Sequence, residues 1–145
     1  MSKFLIRCAI ISEQKELEAL QLRASLTNAG DRDALLAHPD AIELHIDQIA
    51  AGAVFVSERN GVIVGFAALL PRPDGDVELD GLFVDPDARR RGVGRSLVDY
   101  CVQIVRALCV IGNPHAYDFY NACGFNVVGT IETRFGPGIL MRKMV

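Results

Sequence analysis

A strand-like apolar run, Leu82-Phe83-Val84, stops at Asp85-Pro86 and leads through a turn into Arg89-Arg90-Arg91-Gly92-Val93-Gly94-Arg95-Ser96, after which an apolar pattern of helical spacing begins. This order constrains the fold more than any other stretch, because a helix must start close to where a strand ends. The glycines let the backbone approach a ligand closely and aim successive N–H groups at one point. A helix starting there adds its own unpaired N–H groups and the positive end of its dipole. Arginines beside such a nest suit a phosphate or pyrophosphate.

The basic density is local. Four of the twelve arginines fall within seven residues, yet the chain carries a formal net charge of −3. That balance argues against a general nucleic-acid or membrane-surface binder. A nucleic-acid patch on Arg89–Arg95 would want aromatic interleaving and has no use for the glycines. The dinucleotide fingerprint G-x-G-x-x-G fails because Leu97 stands at its third glycine, and no Gly-Lys-Ser/Thr of a Walker loop occurs. With 145 residues, half of them hydrophobic and 23% charged, the expectation is one globular domain spanning residues 1–145.

Cys8, Cys101, Cys109 and Cys123 form no C-x-x-C pair, and His38, His45 and His115 have no metal-ligand spacing, so no metal is expected. The apolar run near Met1 is too short for an export signal, and no window approaches the ~18 apolar residues of a membrane span. The cysteines therefore read as reduced, buried thiols of a cytoplasmic protein.

Phe4–Ile11 reads as a first strand, and Ser12 as the N-cap of a helix carrying Leu17, Leu20 and Ala24 that stops by Asn28-Ala29-Gly30. Asp31–Ala51 reads as two short helices interrupted at His38-Pro39, closed by Gly52. Ala53–Glu58 and Val62–Leu70 are strands joined by Asn60-Gly61, a strong hairpin signal, and Asp76–Val84 is a third strand of this meander. Val93–Arg106 is a helix and Ala107–Ile111 a short strand. Asn113-Pro114 opens another helix, which ends at Gly124; Val127–Thr133 and Ile139–Met144 make a last strand pair. The order predicts an α+β (mixed α/β) fold, its sheet mostly antiparallel with a parallel portion near the fourth and fifth strands.

Asp74, Asp76, Glu78 and Asp80 recur at period two and so share one side of the third meander strand. Beyond Gly81 the strand is apolar on both faces, as where a strand enters the centre of a sheet, and a β-bulge at Gly81 fits the changeover. Asp74 and Asp76 border the turn and read as a solvated face. Glu78 and Asp80 lie closer to the buried part, where burial would raise a carboxyl pKa and make a base.

Glu78–Leu97 resembles motif A of the GCN5-related N-acetyltransferases, in which Q/R-x-x-G-x-G/A follows a central strand; here it stands as Arg89-Arg90-Arg91-Gly92-Val93-Gly94. Asn113–Phe125, NPHAYDFYNACGF, resembles motif B of the same family, with Tyr120 at the family's distance from Gly124-Phe125. The element order matches over nearly the whole chain. One departure is a short link at Cys101–Cys109, which requires a truncated helix or turn. The resemblance implies a sheet of six to seven strands flanked by about four helices and splayed between strands 4 and 5.

The resemblance further implies acetyl-CoA as co-substrate and an amine as acceptor; the charge balance and residue spacing above give no expectation of nucleic acid, membrane or metal. The pyrophosphate would meet the N–H groups spanning Arg91, Gly92, Val93, Gly94, Arg95 and Ser96, with Arg89 at the Q/R position. Backbone groups of Leu82, Phe83 and Val84 would pair with the pantetheine arm and polarise the thioester carbonyl, and Asn113 would touch the same arm. Tyr120 matches the general acid that protonates the departing thiolate; its competing reading is a core tyrosine on the stripe Ala116, Phe119, Tyr120, Cys123. Glu78 matches a general base, with Asp80 in reserve, and the carboxylate row could instead only attract a cationic acceptor. A homodimer is common for the fold. The competing function is a CoA-binding module without catalysis.

Overall fold

The computed structural model describes residues 4–27, 29–38, 42–112, 114–134 and 136–145. Its strands are β1 (Leu5–Cys8), β2 (Val54–Arg59), β3 (Val62–Pro71), β4 (Val77–Val84), β5 (Ala107–Gly112), β6 (Asn126–Thr133) and β7 (Gly136–Met144). They form one seven-stranded sheet in the order β1-β2-β3-β4-β5-β7-β6. The pair β4–β5 is parallel and every other pairing is antiparallel. The helices are α1 (Gln14–Leu26), α2 (Ala29–Ala37), α3 (Ile46–Ala50), α4 (Val93–Val105) and α5 (Tyr117–Ala122). The mixed fold and the parallel step at strands four and five are those expected from the element order.

The two faces of the sheet carry separate cores. On one, Leu17, Leu20, Leu44 and Ile49 pack on Val54, Val56, Phe66 and Ala68. On the other, Val93, Leu97, Val98, Cys101 and Val102 of α4 and Tyr120, Cys123 and Phe125 from the α5 region pack on Ala67, Leu69, Leu79, Leu108 and Val110. The buried positions of α4 follow the spacing of one helical face, and Arg95, Ser96 and Asp99 are left outside.

Several local expectations shift. The helix that was to begin at Ser12 begins instead with a 3-10 turn at Ile11–Glu13, and the residue that ties it down is Glu13, whose Oε1 accepts the Ile10 N–H at 2.9 Å. α1 ends at Leu26, so Ala29 and Gly30 belong to α2. Asn60 and Gly61, at φ 54° and 80°, make the expected tight hairpin. The short link after α4 is resolved by a single residue: Arg106 takes φ 68°, its N–H bonds Val102 O at 2.8 Å, and β5 starts at once.

Candidate functional site: the opening between β4 and β5

β4 pairs with β5 only at Val77↔Leu108 and Glu78↔Cys109. Beyond that point β4 runs to Val84 beside β3 alone, and β5 runs to Gly112 beside β7. The two central strands therefore part, and β4 acquires a free edge inside the sheet. Asp85 donates its N–H to Val64 O at 2.8 Å. Hydrogen bonding alternates along an antiparallel pair, so Phe83 also turns its backbone groups to β3, whereas Leu82 and Val84 turn theirs into the opening. The register shifts between Ala68↔Gly81 and Leu69↔Leu79, which makes Asp80 the extra residue of a bulge, one position before the glycine where it was expected. The bulge resets the side-chain alternation: Leu79, Leu82 and Val84 all join the α4 face, while Phe83 packs on Phe66 at the other face, ring centroids 5.4 Å apart.

The basic loop lies at the mouth of this opening. Gly92 has φ 80°, a conformation for which glycine is suited, and immediately precedes α4. The first helical bond runs from Ser96 N–H to Gly92 O at 3.0 Å, so the N–H groups of Val93, Gly94 and Arg95 precede the helix's own acceptors. Gly94 also lets the helix start approach closely: a Cβ there would stand 3.2 Å from Phe119 Cζ and 3.5 Å from Val84 Cγ2. The arginines divide their work. Arg89 donates to Ala24 O of α1 at 3.0 Å, and Arg23 pairs with Asp85 at 2.8 Å, so both fasten the loop to α1. Arg91 lines a cavity of about 260 Å³ with Phe4, Arg59, Val64 and Asp87. Arg90 and Arg95 are exposed.

The opposite wall is β5 with α5. Tyr120 is 9% exposed and lies edge-on to Phe119 and Phe125, at 5.1 and 5.4 Å between centroids. Its ring also stands over Gly112, where a Cβ would be 3.5 Å from Cδ2, so it borders the end of β5. Tyr120 is thus a buried ring beside the end of β5. Asn113 lies outside the described residues.

At the apex, Arg72 Nη1 donates to Glu78 Oε1 at 3.3 Å and its Nε to Asp74 Oδ2 at 3.3 Å. Arg142 of β7 donates to Asp76 Oδ1 at 3.1 Å. The carboxylate row is therefore not a bare acidic strip: three of its four members are matched to arginines, and among the described residues the exposed Asp80 is the member without an ion pair. Burial, with the charge of Asp80 added, pushes the Glu78 carboxyl above its ordinary range, and Arg72 pulls against both. Burial also pushes up the thiol of Cys109, the neighbour of Glu78 on β5. Cys101 and Cys123 are buried on the α4 side, and burial takes the Cys101 thiol up to about 12. Among the described residues no group of three or more His, Cys, Asp or Glu could hold a metal, and no helix is long and apolar enough to cross a membrane.

The sequence profile of the Acetyltransferase (GNAT) family matches residues 19–125. The chain belongs to this family. It is 38% identical over 82 residues to the peptidyl-lysine N-acetyltransferase YjaB of Escherichia coli (strain K12), covering 54% of this chain and 52% of that one. The peptidyl-lysine N-acetyltransferase YiaC of the same strain is 36% identical over 93 residues, 61% of each chain. The chain spans about half the length of the curated relatives it matches, from 39% to 61%. In fold it matches the PaiA N-acetyltransferase of Thermoplasma acidophilum, solved in complex with coenzyme A, with a TM-score of 0.76 over 99% of both chains at 15% identity.

In this opening Leu82 and Val84 lie on the unpaired stretch of β4, Gly92, Val93 and Gly94 lead into α4 with Gly94 against Val84 and Phe119, Tyr120 borders Gly112 at the end of β5, and Glu78 stands where the strands part. Arg89 is held on α1 and the Ser96 N–H is engaged within α4. Sequence reading missed Arg72 and Arg142. Arg72 had a signal, since a hairpin turn at Pro71–Gly75 folds it back onto the carboxylate row. Arg142 had none, because its place depends on the β5–β7 register.

Proposed function

We propose that the chain is an acetyl-CoA-dependent N-acetyltransferase built as a single domain, and that it transfers acetyl directly to an amine. The observation that carries this reading is the free β4 edge opening beside the unbonded N–H groups of α4. An extended pantetheine arm would add to that edge through Leu82 and Val84, and the pyrophosphate would sit on Val93, Gly94 and Arg95. An N–H from the same edge would stabilise the oxyanion of the tetrahedral intermediate.

The chemistry also needs proton handling at both ends. An alkylamine of pKa about 10.4 is overwhelmingly protonated at neutral pH. Glu78, raised by burial and set at the apex, would take that proton. The Tyr120 hydroxyl would give one to the departing thiolate. The names of the curated relatives make a peptidyl lysine the acceptor class to test first.

A CoA-binding module without catalysis draws on the burial of the Tyr120 ring. The half-buried, raised carboxyl of Glu78 favours the enzyme, since binding alone has no use for it. Free thiols at all four cysteines support a cytoplasmic location, and exposed Val127, Val128 and Ile131 on the edge strand β6 support a homodimer.

The test is thiol release from acetyl-CoA with an N-terminally blocked lysine peptide, a free peptide N-terminus and a polyamine. Release with at least one amine is expected. Tight acetyl-CoA binding with no release above the amine-free rate would favour the module.

A further inference from the structure

We infer that Arg72 is a positioning residue for Glu78, holding its carboxylate at the apex of the opening in its proton-accepting form. The inference rests on the reading of Glu78 as the base and adds the group that makes it one. Arg72 is itself fixed. Its backbone N–H donates to Asp76 O at 2.8 Å and its C=O accepts the Gly75 N–H at 3.1 Å, closing the β3–β4 turn. Its Nε donates to Asp74, whose other oxygen accepts the Asp76 N–H at 3.0 Å. The guanidinium reaches Glu78 already oriented, so the second contact costs less side-chain freedom than an isolated pair would.

Arg72 takes one oxygen of Glu78 and leaves the other. Oε1 accepts from Nη1, and among the described residues Oε2 accepts no hydrogen bond. The transfer is a simple one: an acceptor ammonium gives its proton to Glu78 and becomes the neutral amine that attacks the thioester. The side chains of Arg72 and Glu78 are 22% and 18% exposed, so their attraction is screened less than that of a surface pair.

The surroundings leave this task to Arg72. Asp80 on β4 and burial both favour the protonated acid. Asp76 is taken up by Arg142, and the Cys109 thiol is held neutral by burial. α1 packs on β4, but its Arg23 is engaged with Asp85 and its Glu18 with the Leu44 N–H.

The experiment is the pH profile of kcat/KM for acetylation of an N-terminally blocked lysine peptide by wild type, Arg72→Met, Arg72→Lys and Glu78→Gln. The peptide's own amine titrates identically in all four, so differences belong to the enzyme. Glu78→Gln is expected to remove the enzyme's acid limb. Arg72→Met should move that limb to higher pH, with a loss of roughly three- to tenfold at the acid end and the alkaline plateau kept within about twofold. Arg72→Lys should restore most of the wild-type profile, because it keeps the charge. If Glu78→Gln removes the limb but Arg72→Met leaves it in place, or lowers activity evenly at all pH, the role of Arg72 is overturned and the base stands. If Glu78→Gln retains the limb, the base reading falls and takes this inference with it.

Discussion

Glu78 is the last residue of β4 to face a partner on β5, and that partner is Cys109. Cys109 in turn faces Arg142 on β7. A row of carboxylate, thiol and guanidinium thus crosses the sheet at the level where it parts. On one side of that row the strands are hydrogen-bonded neighbours; on the other the β4 edge is free. The cofactor and the acceptor of the proposed reaction would meet at this boundary, because the free edge begins at the residue that supplies the proposed base.

Tyr120→Phe tests the proposed acid with little disturbance, since a phenylalanine ring keeps the edge-on contacts with Phe119 and Phe125. Turnover should fall about a hundredfold, the scale of a lost general acid, with acetyl-CoA affinity unchanged within about threefold. Steady-state kinetics with a direct binding measurement checks both halves. Wild-type turnover in the variant would return Tyr120 to a packing role alone.

Gly94→Glu places a carboxylate where the first-turn N–H groups would receive a pyrophosphate, and crowds Phe119 and Val84 besides. Wild type in acetyl-CoA at about a hundred times Kd should gain about 2.7 kcal/mol, several degrees in thermal unfolding. In the variant the midpoints with and without acetyl-CoA should coincide. The comparison within one variant separates loss of binding from loss of stability, and a retained ligand shift would contradict the loop assignment.

The helical face of α4, the Asn60-Gly61 hairpin and the apolar end of β4 were legible because each rests on local periodicity or turn chemistry. The glycine turn into α4 was legible for the same reason, as a run of adjacent residues. The bulge falls at Asp80 and not at Gly81, since periodicity marks a break in alternation but not which residue goes unpaired. Glu13 is not legible as a cap, because it works backwards onto Ile10 and across to Arg7. Arg142 was out of reach, as its contact with Asp76 exists only once β7 is in register with β5.

The left-handed conformation of Arg106 yields a stability ordering. A non-glycine residue at φ 68° costs about 1 kcal/mol, and the contacts that hold it, its N–H to Val102 O and its C=O from Val145 N–H, are all backbone. Arg106→Gly relieves that strain but gives back about as much in unfolded-chain entropy, so it should be neutral or slightly stabilising. Arg106→Val, β-branched in the same conformation, should lose more than about 1 kcal/mol. Urea unfolding of the three proteins checks the order, and a valine variant as stable as wild type would show that the link relaxes to another geometry.

Arg7 joins β1 to the start of α1 and to β2, with Nη2 2.8 Å from Glu13 Oε2 and 3.1 Å from Glu58 Oε2. The hydrogen bond from Arg7 holds the Glu13 carboxyl below its ordinary value, with help from the Ile10 N–H and against the opposing effect of burial. A carboxyl lowered on folding stabilises the native state above its unfolded pKa of about 4.3, and that stabilisation is lost as the pH falls through the folded value. Glu13→Gln should therefore cost roughly 1 kcal/mol at pH 7, and its deficit relative to wild type should shrink below about pH 4. Urea unfolding at pH 7, 5 and 3.5 reads this directly. A deficit constant across that range would mean that glutamine disturbs the turn by its shape, and that the charge of Glu13 contributes nothing to folding.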